Sequence, residues 1–135
     1  MENLHIWGTG IDIIDVKRII NAAGRHPGFL GRIFTENEIK YCSSKKNPGS
    51  RYISLAQRFA AKEAVSKALG TGIGKNAGFR EIEIINEAGG KPAVRLSGNA
   101  GLYASGLKVR RIEISLSGLK DYAVAFAVVL IKGDF

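Results

Sequence analysis

The stretch RFAAKEAVSKALG, residues 58–70, has the pattern of a helix that is apolar nearly all round. No residue from about position 55 to position 69 breaks a helix, and Gly70 stands where a left-handed C-terminal cap would fall. Alanines recur at every fourth position and form a smooth row that another element can approach closely, at Ala56, Ala60, Ala64 and Ala68. The sequence therefore predicts a central helix on which the rest of the chain packs.

Two charged side chains, Glu63 and Lys67, interrupt this apolar helix. At about 100° per residue they fall among Phe59 and the alanines, whereas Lys62 points to the opposite flank. A charge held among apolar neighbours needs a partner, a ligand or a metal ion. The alternative is an ordinary Glu–Lys pair on a solvated helix face, which is the commoner meaning of this spacing.

Length and composition indicate an ordinary globular chain, predicted to be a single domain over residues 1–135. The formal net charge of +8 predicts an anionic partner, which could be nucleic acid, a phosphorylated small molecule, an acidic protein or an anionic membrane. Cys42 is the only cysteine, so an internal disulfide is excluded and a reducing cytoplasm is the simplest compartment. Met1 is followed by no basic segment or long apolar run, so we expect no signal peptide.

The pattern around the central helix predicts the α+β class. Residues 6–14 form the first predicted strand, on which Gly8, Gly10 and Asp12 share a face open to another backbone or a ligand. Asp15 is the predicted cap of a helix over 16–23, and residues 35–38 have the form of a capping box. Further predicted elements are strands 81–85 and 92–96, a helix 99–107, and a final hairpin of strands 111–116 and 122–131. The last strand is apolar on both faces, which predicts a central place in the sheet.

Asp12 and Glu63 are the candidate metal ligands. Mg²⁺ is commonly held by one or two protein carboxylates, with phosphate oxygens of the substrate and waters completing its shell. Two such carboxylates in a basic protein suggest a substrate whose pyrophosphate is bridged by the metal. Asp12 could equally be an acid that begins a turn.

Two blocks of the sequence resemble the signature of the 4′-phosphopantetheinyl transferases. They are GIDI at residues 10–13 and RFAAKEAVSKALGTG at residues 58–72. The likeness extends from about Trp7 to Val129, and the chain length together with GTGIG at residues 70–74 resembles the short, single-domain type. The second block carries the resemblance, because a helix with this pattern of Phe, Lys, Glu and Lys that ends in Gly-Thr-Gly is highly specific.

The resemblance implies a fold with a mostly antiparallel sheet packed on a long central helix. It also implies transfer of the 4′-phosphopantetheine arm from coenzyme A (CoA) to a serine of apo acyl carrier protein, an activity that serves fatty acid biosynthesis. The released product is adenosine 3′,5′-bisphosphate. By motif position, Asp12 and Glu63 are the Mg²⁺ ligands, and Lys67 is the cation that faces the pyrophosphate.

Further site residues are expected from the same resemblance. Lys45, Lys46 and Arg51, ahead of the central helix, are expected to hold the 3′-phosphate of CoA, although a solvated loop is an equally good interpretation. Lys62 is assigned supporting contacts with CoA or with the fold. The other expected CoA contacts are Arg58, Lys67, Gly70, Thr71 and Ser117.

The resemblance also implies a complex with a carrier protein and an assembly of several copies of this chain. Arg18 and Arg25, on and just after the helix that follows Asp12, are the expected contacts of an acidic carrier protein. The short members of the family are homotrimers with active sites at subunit boundaries, so a homotrimer is expected here.

The sequence departs from the family pattern in the final hairpin. Relatives often carry a histidine there that lines the nucleotide site, whereas SLSG at residues 115–118 places Gly118 at that position. The expectation is that the imidazole contact is lost or is replaced by backbone and by Ser117.

A small basic nucleic-acid-binding protein is the alternative function. It is favoured by the net charge and by Lys108, Arg110 and Arg111. Against it, aromatic residues are only 8% of the chain and do not alternate with basic residues on any predicted strand, as a base-stacking surface requires. A subunit that keeps the fold without activity is a third class, and the intact Asp12, Glu63 and Lys67 argue against it.

Overall fold

The structure, a computed structural model, describes residues 3–133. Five α-helices lie in this range: α1 (Val16–Arg25), α2 (Phe29–Ile33), α3 (Glu36–Ser43), α4 (Pro48–Leu69) and α5 (Gly98–Gly106). The strands are β1 (Leu4–Asp15), β2 (Ile82–Asn86), β3 (Pro92–Leu96), β4 (Val109–Gly118) and β5 (Tyr122–Lys132). Among residues 3–133 no helix combines the length and the apolar character needed to cross a membrane.

The main sheet has three antiparallel strands in the order β1-β5-β4. The central position of β5 confirms the prediction from its apolar residues, since β5 is paired with β1 on one side and with β4 on the other. Strands β2 and β3 form a separate antiparallel hairpin. The predicted α+β class, with a long helix packed on a mostly antiparallel sheet, is confirmed.

Helix α4 lies directly against strands β1 and β5. Its alanine row is fully buried, and the facing residues of β5 are small as well. On β1 a Cβ atom added at Gly10 would lie 2.0 Å from the carbonyl oxygen of Ala64, and one at Gly8 would lie 2.3 Å from that of Ala68. Only glycine lets the strand come this close to the helix backbone, which confirms the prediction that the glycine face of β1 receives another backbone.

The start of α4 differs from the prediction. The helix begins at Pro48 rather than near residue 55, because the Asn47 side chain accepts a hydrogen bond from the backbone N–H of Gly49 at 2.7 Å and so caps it. Pro48 then occupies the first helical position, where its missing N–H costs nothing. The prediction that Arg51 precedes the central helix is therefore wrong, since Arg51 lies in its first turn. The C-terminal cap is confirmed, with Gly70 at φ 90° and ψ 7°.

The short elements follow their capping signals, with small shifts. Asp15 caps α1 by accepting from Lys17 N–H at 2.9 Å, and the capping box between Thr35 and Glu38 is formed as predicted. Helix α1 continues through Gly24 to Arg25, since the His26 N–H closes its last turn on a carbonyl. Strand β2 starts one residue late because Glu81 belongs to a 3₁₀ turn, and α5 covers 98–106 instead of 99–107.

Candidate active site

Asp12, Glu63 and Lys67, here called the carboxylate cluster, meet where β1 crosses α4. Lys67 Nζ donates to Asp12 Oδ1 at 3.3 Å and to the carbonyl oxygen of Ile11 at 3.0 Å. Lys67 is half exposed and the Asp12 side chain is 20% exposed, so the cluster is open to solvent. Among the ion pairs of residues 3–133, Lys67 is paired with Asp12 and not with Glu63, so the alternative of a simple Glu–Lys surface pair is wrong.

Asp12 faces the helix because of its place in β1. The side chains of a strand alternate, so Asp12 points to the same face as Gly10, which lies against Ala64. Asp12 is paired with Ala125 within strand β1, and the pairing with β5 continues for three further residues to Asp15. The alternative that Asp12 begins a turn is therefore wrong, and Asp15 is the acid that caps the following helix.

Glu63 lies in a conflicting electrostatic environment. Partial burial raises the pKa of its carboxyl above the ordinary value, and the negative charge of Asp12 raises that pKa further. Lys67 and Arg18 act in the opposite direction and lower the pKa of Glu63. The charge of Asp12 thus opposes the charge of Glu63, and an additional cation bound between the two carboxylates would offset this repulsion.

Asp12 and Glu63 are the residues that could hold a metal ion. Within residues 3–133, no three or more His, Cys, Asp and Glu side chains are grouped so that they could hold one. Mg²⁺ typically takes one or two carboxylates and leaves its other positions to waters and substrate phosphates. The donor set of Asp12 and Glu63 therefore fits a hard cation that binds together with a phosphorylated substrate.

Lys62 lies on the other side of α4, in what we call the Lys62 pair with Glu38. The side chains of both residues are 0% exposed, and Lys62 Nζ lies 2.7 Å from Glu38 Oε1. Lys62 also donates to the carbonyl oxygens of Phe79 at 2.8 Å and Ile82 at 2.6 Å. Burial lowers the pKa of Lys62, and the charge of Glu38 opposes that shift. Of the two roles expected for Lys62, the structure thus supports contact with the fold.

Arg58 and Lys45 line a cleft of about 370 Å³, here called the Arg58 cleft. Arg58 is 3% exposed, its guanidinium carbon lies 4.3 Å from the centre of the Tyr41 ring, and it donates to Asn86 and Ser54. The Arg58 Nε atom has no hydrogen-bond partner. Cationic and amide groups around an open cleft suit an anionic ligand. Sequence reasoning missed Tyr41 and Asn86, which carry no motif and reach the cleft from α3 and β2.

The remaining expected CoA contacts are dispersed. Arg51 lies outside the lining of the Arg58 cleft and donates from Nε to the Lys45 carbonyl oxygen at 2.6 Å. Lys46 is exposed. Gly70 and Thr71 follow α4 one turn beyond Lys67, where the Thr71 hydroxyl donates to the Ser66 carbonyl oxygen. The last expected contact, Ser117, is exposed near the end of β4.

Arg18 and Arg25 line one groove of about 320 Å³ together with His26, Phe29 and Phe59. Phe59 precedes Glu63 by one helical turn, and the charge of Arg18 lowers the Glu63 pKa, so the groove adjoins the carboxylate cluster. The groove thus combines positive charge with apolar surface. Sequence reasoning singled out neither Phe29 nor His26, because neither residue carries a motif.

The fold and the carboxylate cluster place the chain in a known class of transferases. The family model of the 4′-phosphopantetheinyl transferase superfamily matches residues 8–127. The chain therefore belongs to this superfamily, as its two sequence blocks predicted.

Individual members of the superfamily resemble the chain over almost its whole length. It is 53% identical over 129 residues to the holo-[acyl-carrier-protein] synthase of Ruminiclostridium cellulolyticum, and the match covers 93% of each chain. The crystal structure of the Neisseria meningitidis synthase superposes with a TM-score of 0.81 at 37% identity, covering 93% of this chain and 98% of that one. The crystal structure of the Bacillus anthracis synthase in complex with CoA (3′,5′-ADP) superposes with a TM-score of 0.78 at 38% identity. The match covers 94% of this chain and 98% of that one.

Proposed function

We propose that the protein transfers the 4′-phosphopantetheine group of CoA to a serine of apo acyl carrier protein and releases adenosine 3′,5′-bisphosphate. The observation that carries the proposal is the carboxylate cluster, which brings Asp12, Glu63 and Lys67 together from two elements in a member of this superfamily. The named relatives are holo-[acyl-carrier-protein] synthases, and one of them is a complex with CoA. A carrier of fatty acid biosynthesis is the acceptor class that fits this activity.

The transfer makes one P–O bond and breaks another. The serine oxygen bonds to the phosphorus that carries pantetheine, the serine proton passes to solvent water, and the bridging oxygen leaves with the nucleotide. Asp12 and Glu63 would hold Mg²⁺, which when bound offsets negative charge on the phosphate oxygens. Lys67 donates from Nζ to the pyrophosphate and stabilises the charge that grows on the leaving phosphate. The exposure of Lys67 leaves it accessible to that group.

Mass spectrometry tests the reaction directly. The protein is incubated with CoA, Mg²⁺ and an apo acyl carrier protein, and we expect the carrier to gain the mass of the phosphopantetheine arm. A second reaction, without Mg²⁺ and with a chelator, tests whether transfer needs the metal. Transfer at the same rate as with Mg²⁺ would contradict the proposed metal site. An unmodified carrier under all conditions would contradict the proposed function and leave the nucleic-acid alternative.

The proposed compartment is the reducing cytoplasm, and the free, buried thiol of Cys42 is compatible with it.

The 3′-phosphate of CoA is assigned to the Arg58 cleft, where Lys45 and Arg58 converge. Replacing Lys45 by alanine should raise the KM for CoA much more than the KM for dephospho-CoA, because only CoA carries that phosphate. Lys40→Ala, which removes a neighbouring exposed lysine of α3, is the matched control. Equal effects of Lys45→Ala on the two substrates would overturn the assignment.

The carrier protein is assigned to the groove of Arg18 and Arg25. Rim charges act mainly through the association rate and its dependence on salt. Arg18→Glu and Arg25→Glu should therefore raise the KM for the carrier steeply and flatten its salt dependence, with little effect on CoA binding. Lys40→Glu reverses one exposed charge elsewhere and serves as the control. An unchanged carrier KM and salt slope would place docking on another surface.

The active form is assigned as a homotrimer with sites at subunit boundaries. Support comes from the outer face of the main sheet, which α4 leaves uncovered: Ile11 is 62% exposed, Ile13 66% and Phe126 43%. Such an apolar face is typical of a subunit contact. Phe126→Glu should shift the sedimentation profile from trimer towards monomer and lower transfer in parallel. A wild-type protein that sediments as a monomer and transfers the arm at full rate would contradict the assembly.

A further inference from the structure

Gln57 of α4 lies directly over Gly118 of β4. A Cβ atom added at Gly118 would lie 2.9 Å from Gln57 Nε2 and 2.7 Å from Ile53 Cγ2, so any other residue at position 118 would have to move one or both side chains. Glycine at 118 is thus what allows the Gln57 carboxamide to occupy this space. Position 118 is also where the sequence departs from the expected histidine.

Ser117 does not fill this space. Adjacent residues of a strand point to opposite faces of the sheet, and Ser117 is exposed while Gly118 faces α4. Ser117 therefore points away from the face on which Gln57 lies, and its expected contact with the nucleotide stays a prediction. The neighbouring polar group on that face is the carboxamide of Gln57, which sequence reasoning did not single out.

The Gln57 carboxamide is available to a ligand. Gln57 is half-buried in the wall of the Arg58 cleft, and no hydrogen bond among residues 3–133 uses its side chain. Its neighbour Arg58 is 3% exposed and has an Nε–H without a partner. Buried polar groups normally have partners, because an unsatisfied donor loses its bond to water and gains nothing in exchange. Both residues line the same cleft, but the Arg58 Nε–H is buried, so the Gln57 carboxamide is the unused polar group that a ligand in the cleft can reach.

We propose that the Gln57 carboxamide, which occupies the space beside Gly118, donates a hydrogen bond to the 3′-phosphate of CoA. The inference rests on the proposed function. The carboxylate cluster is assigned to the pyrophosphate, so the phosphate that remains for the cations Lys45 and Arg58 is the 3′-phosphate. A neutral carboxamide donor beside these cations adds a directional contact without adding charge.

Two substitutions at Gln57 test the contact. Gln57→Leu keeps the approximate size and removes the donor, and it should raise the KM for CoA roughly ten-fold or more, since a bond to a charged group is lost. Gln57→Glu should raise it further, because a carboxylate repels the phosphate. For both variants the KM for dephospho-CoA and for the carrier should change little. Ser105→Glu, an exposed position on α5, is the charge control and should leave all constants unchanged.

A double-substitution cycle tests the role of Gly118. Gly118→Ala should displace the Gln57 carboxamide and raise the KM for CoA, and in a Gln57→Leu background the same change should add little, because the donor is already gone. Unchanged KM values in Gln57→Leu and Gln57→Glu would overturn the inference, as would equal changes for CoA and dephospho-CoA. Failure of the proposed function is distinguishable, since the wild-type protein itself would then transfer nothing.

Discussion

Lys62 and Glu63 are adjacent in the sequence and have opposite environments in the structure. Lys62 is 0% exposed and bonded to Glu38 and two backbone carbonyl oxygens. Glu63 lies in the carboxylate cluster, where partial burial and then the charge of Asp12 raise the pKa of its carboxyl. Lys62 therefore stabilises the fold, whereas Glu63 remains available to a ligand. A buried charge with a full set of partners fixes neighbouring elements, whereas carboxylates left in repulsion can accept a cation.

The two environments exist because consecutive residues of a helix point about 100° apart. On the Lys62 side α4 meets α3 and the β2 hairpin, and Glu38 links them by also accepting from the Ile84 N–H at 3.0 Å. On the Glu63 side it meets β1. The Lys62 pair is therefore one of the contacts that hold α4 in the rotation that turns Glu63 towards Asp12.

The largest expected effect is on stability, at the Lys62 pair. Lys62→Met leaves Glu38 buried without its cation, and we expect a loss of about 3–5 kcal/mol in the free energy of unfolding, measured by urea denaturation. Lys67→Met, the same substitution on the same helix, should cost less than about 1 kcal/mol because its pair with Asp12 is exposed. Adding Glu38→Gln to Lys62→Met should recover part of the loss. Equal losses of unfolding free energy in Lys62→Met and Lys67→Met would contradict the different roles assigned to the Lys62 side and the Glu63 side of α4.

The next effect is on catalysis, at the carboxylate cluster. Lys67→Met should lower kcat about 10²–10³-fold, because a donor to the charge developing on the leaving phosphate is removed. Circular dichroism and the KM for the carrier should stay near wild-type values. Lys40→Met on exposed α3 is the control for loss of a lysine. A Lys67→Met enzyme with normal kcat would show that the open side of α4 does not perform the chemistry.

A smaller effect is expected on the stability of the metal-free protein. The raised pKa of Glu63 means that the folded state binds the proton more tightly than the unfolded state, so this group stabilises less as the pH rises through its folded pKa. In the presence of a chelator, the Tm of Glu63→Gln at neutral pH should therefore equal or exceed that of the wild-type protein. The difference in Tm between the two proteins should vanish on acidification. Transfer should be abolished at the same time.

Glu81→Gln is the matched control for that experiment, with the opposite sign. Hydrogen bonds from the backbone N–H groups of Gly78 and Asn99 lower the pKa of Glu81. Its charge therefore contributes stability that is present at neutral pH and is lost as the pH falls through the folded pKa. A Glu63→Gln protein that loses Tm at neutral pH as Glu81→Gln does would contradict the repulsion between Asp12 and Glu63.

The smallest effect is a protection from chemical modification. Cys42 is 1% exposed on the Lys62 side of α4, and burial raises the pKa of its thiol. We expect a thiol reagent to label the native protein slowly at mildly alkaline pH and the urea-unfolded protein at once, by mass spectrometry. Rapid labelling of the native protein would mean that the packing around the Lys62 pair opens readily.

Prediction from sequence succeeded where the signal is local. The cap at Gly70, the capping box at Thr35 and the central position of β5 follow from residues close together in the chain. The start of α4 was missed because Asn47, Pro48 and Gly49 are typical of a loop, although the same residues can supply a side-chain cap and a first helical proline. Gln57 was missed because its significance depends on Gly118, on a strand far along the chain.

By itself the sequence determined a central helix, a mostly antiparallel sheet and, through two signature blocks, the candidate roles of Asp12, Glu63 and Lys67. The partners of the charged side chains became visible in the folded chain: Lys67 pairs with Asp12, 55 positions away, and Lys62 pairs with Glu38, 24 positions away. The physical reason is that periodicity and caps depend on neighbours within a turn or two of chain. The partner of a charged side chain depends on how α4 is rotated between α3 and β1, and that rotation is set by all the packed elements together.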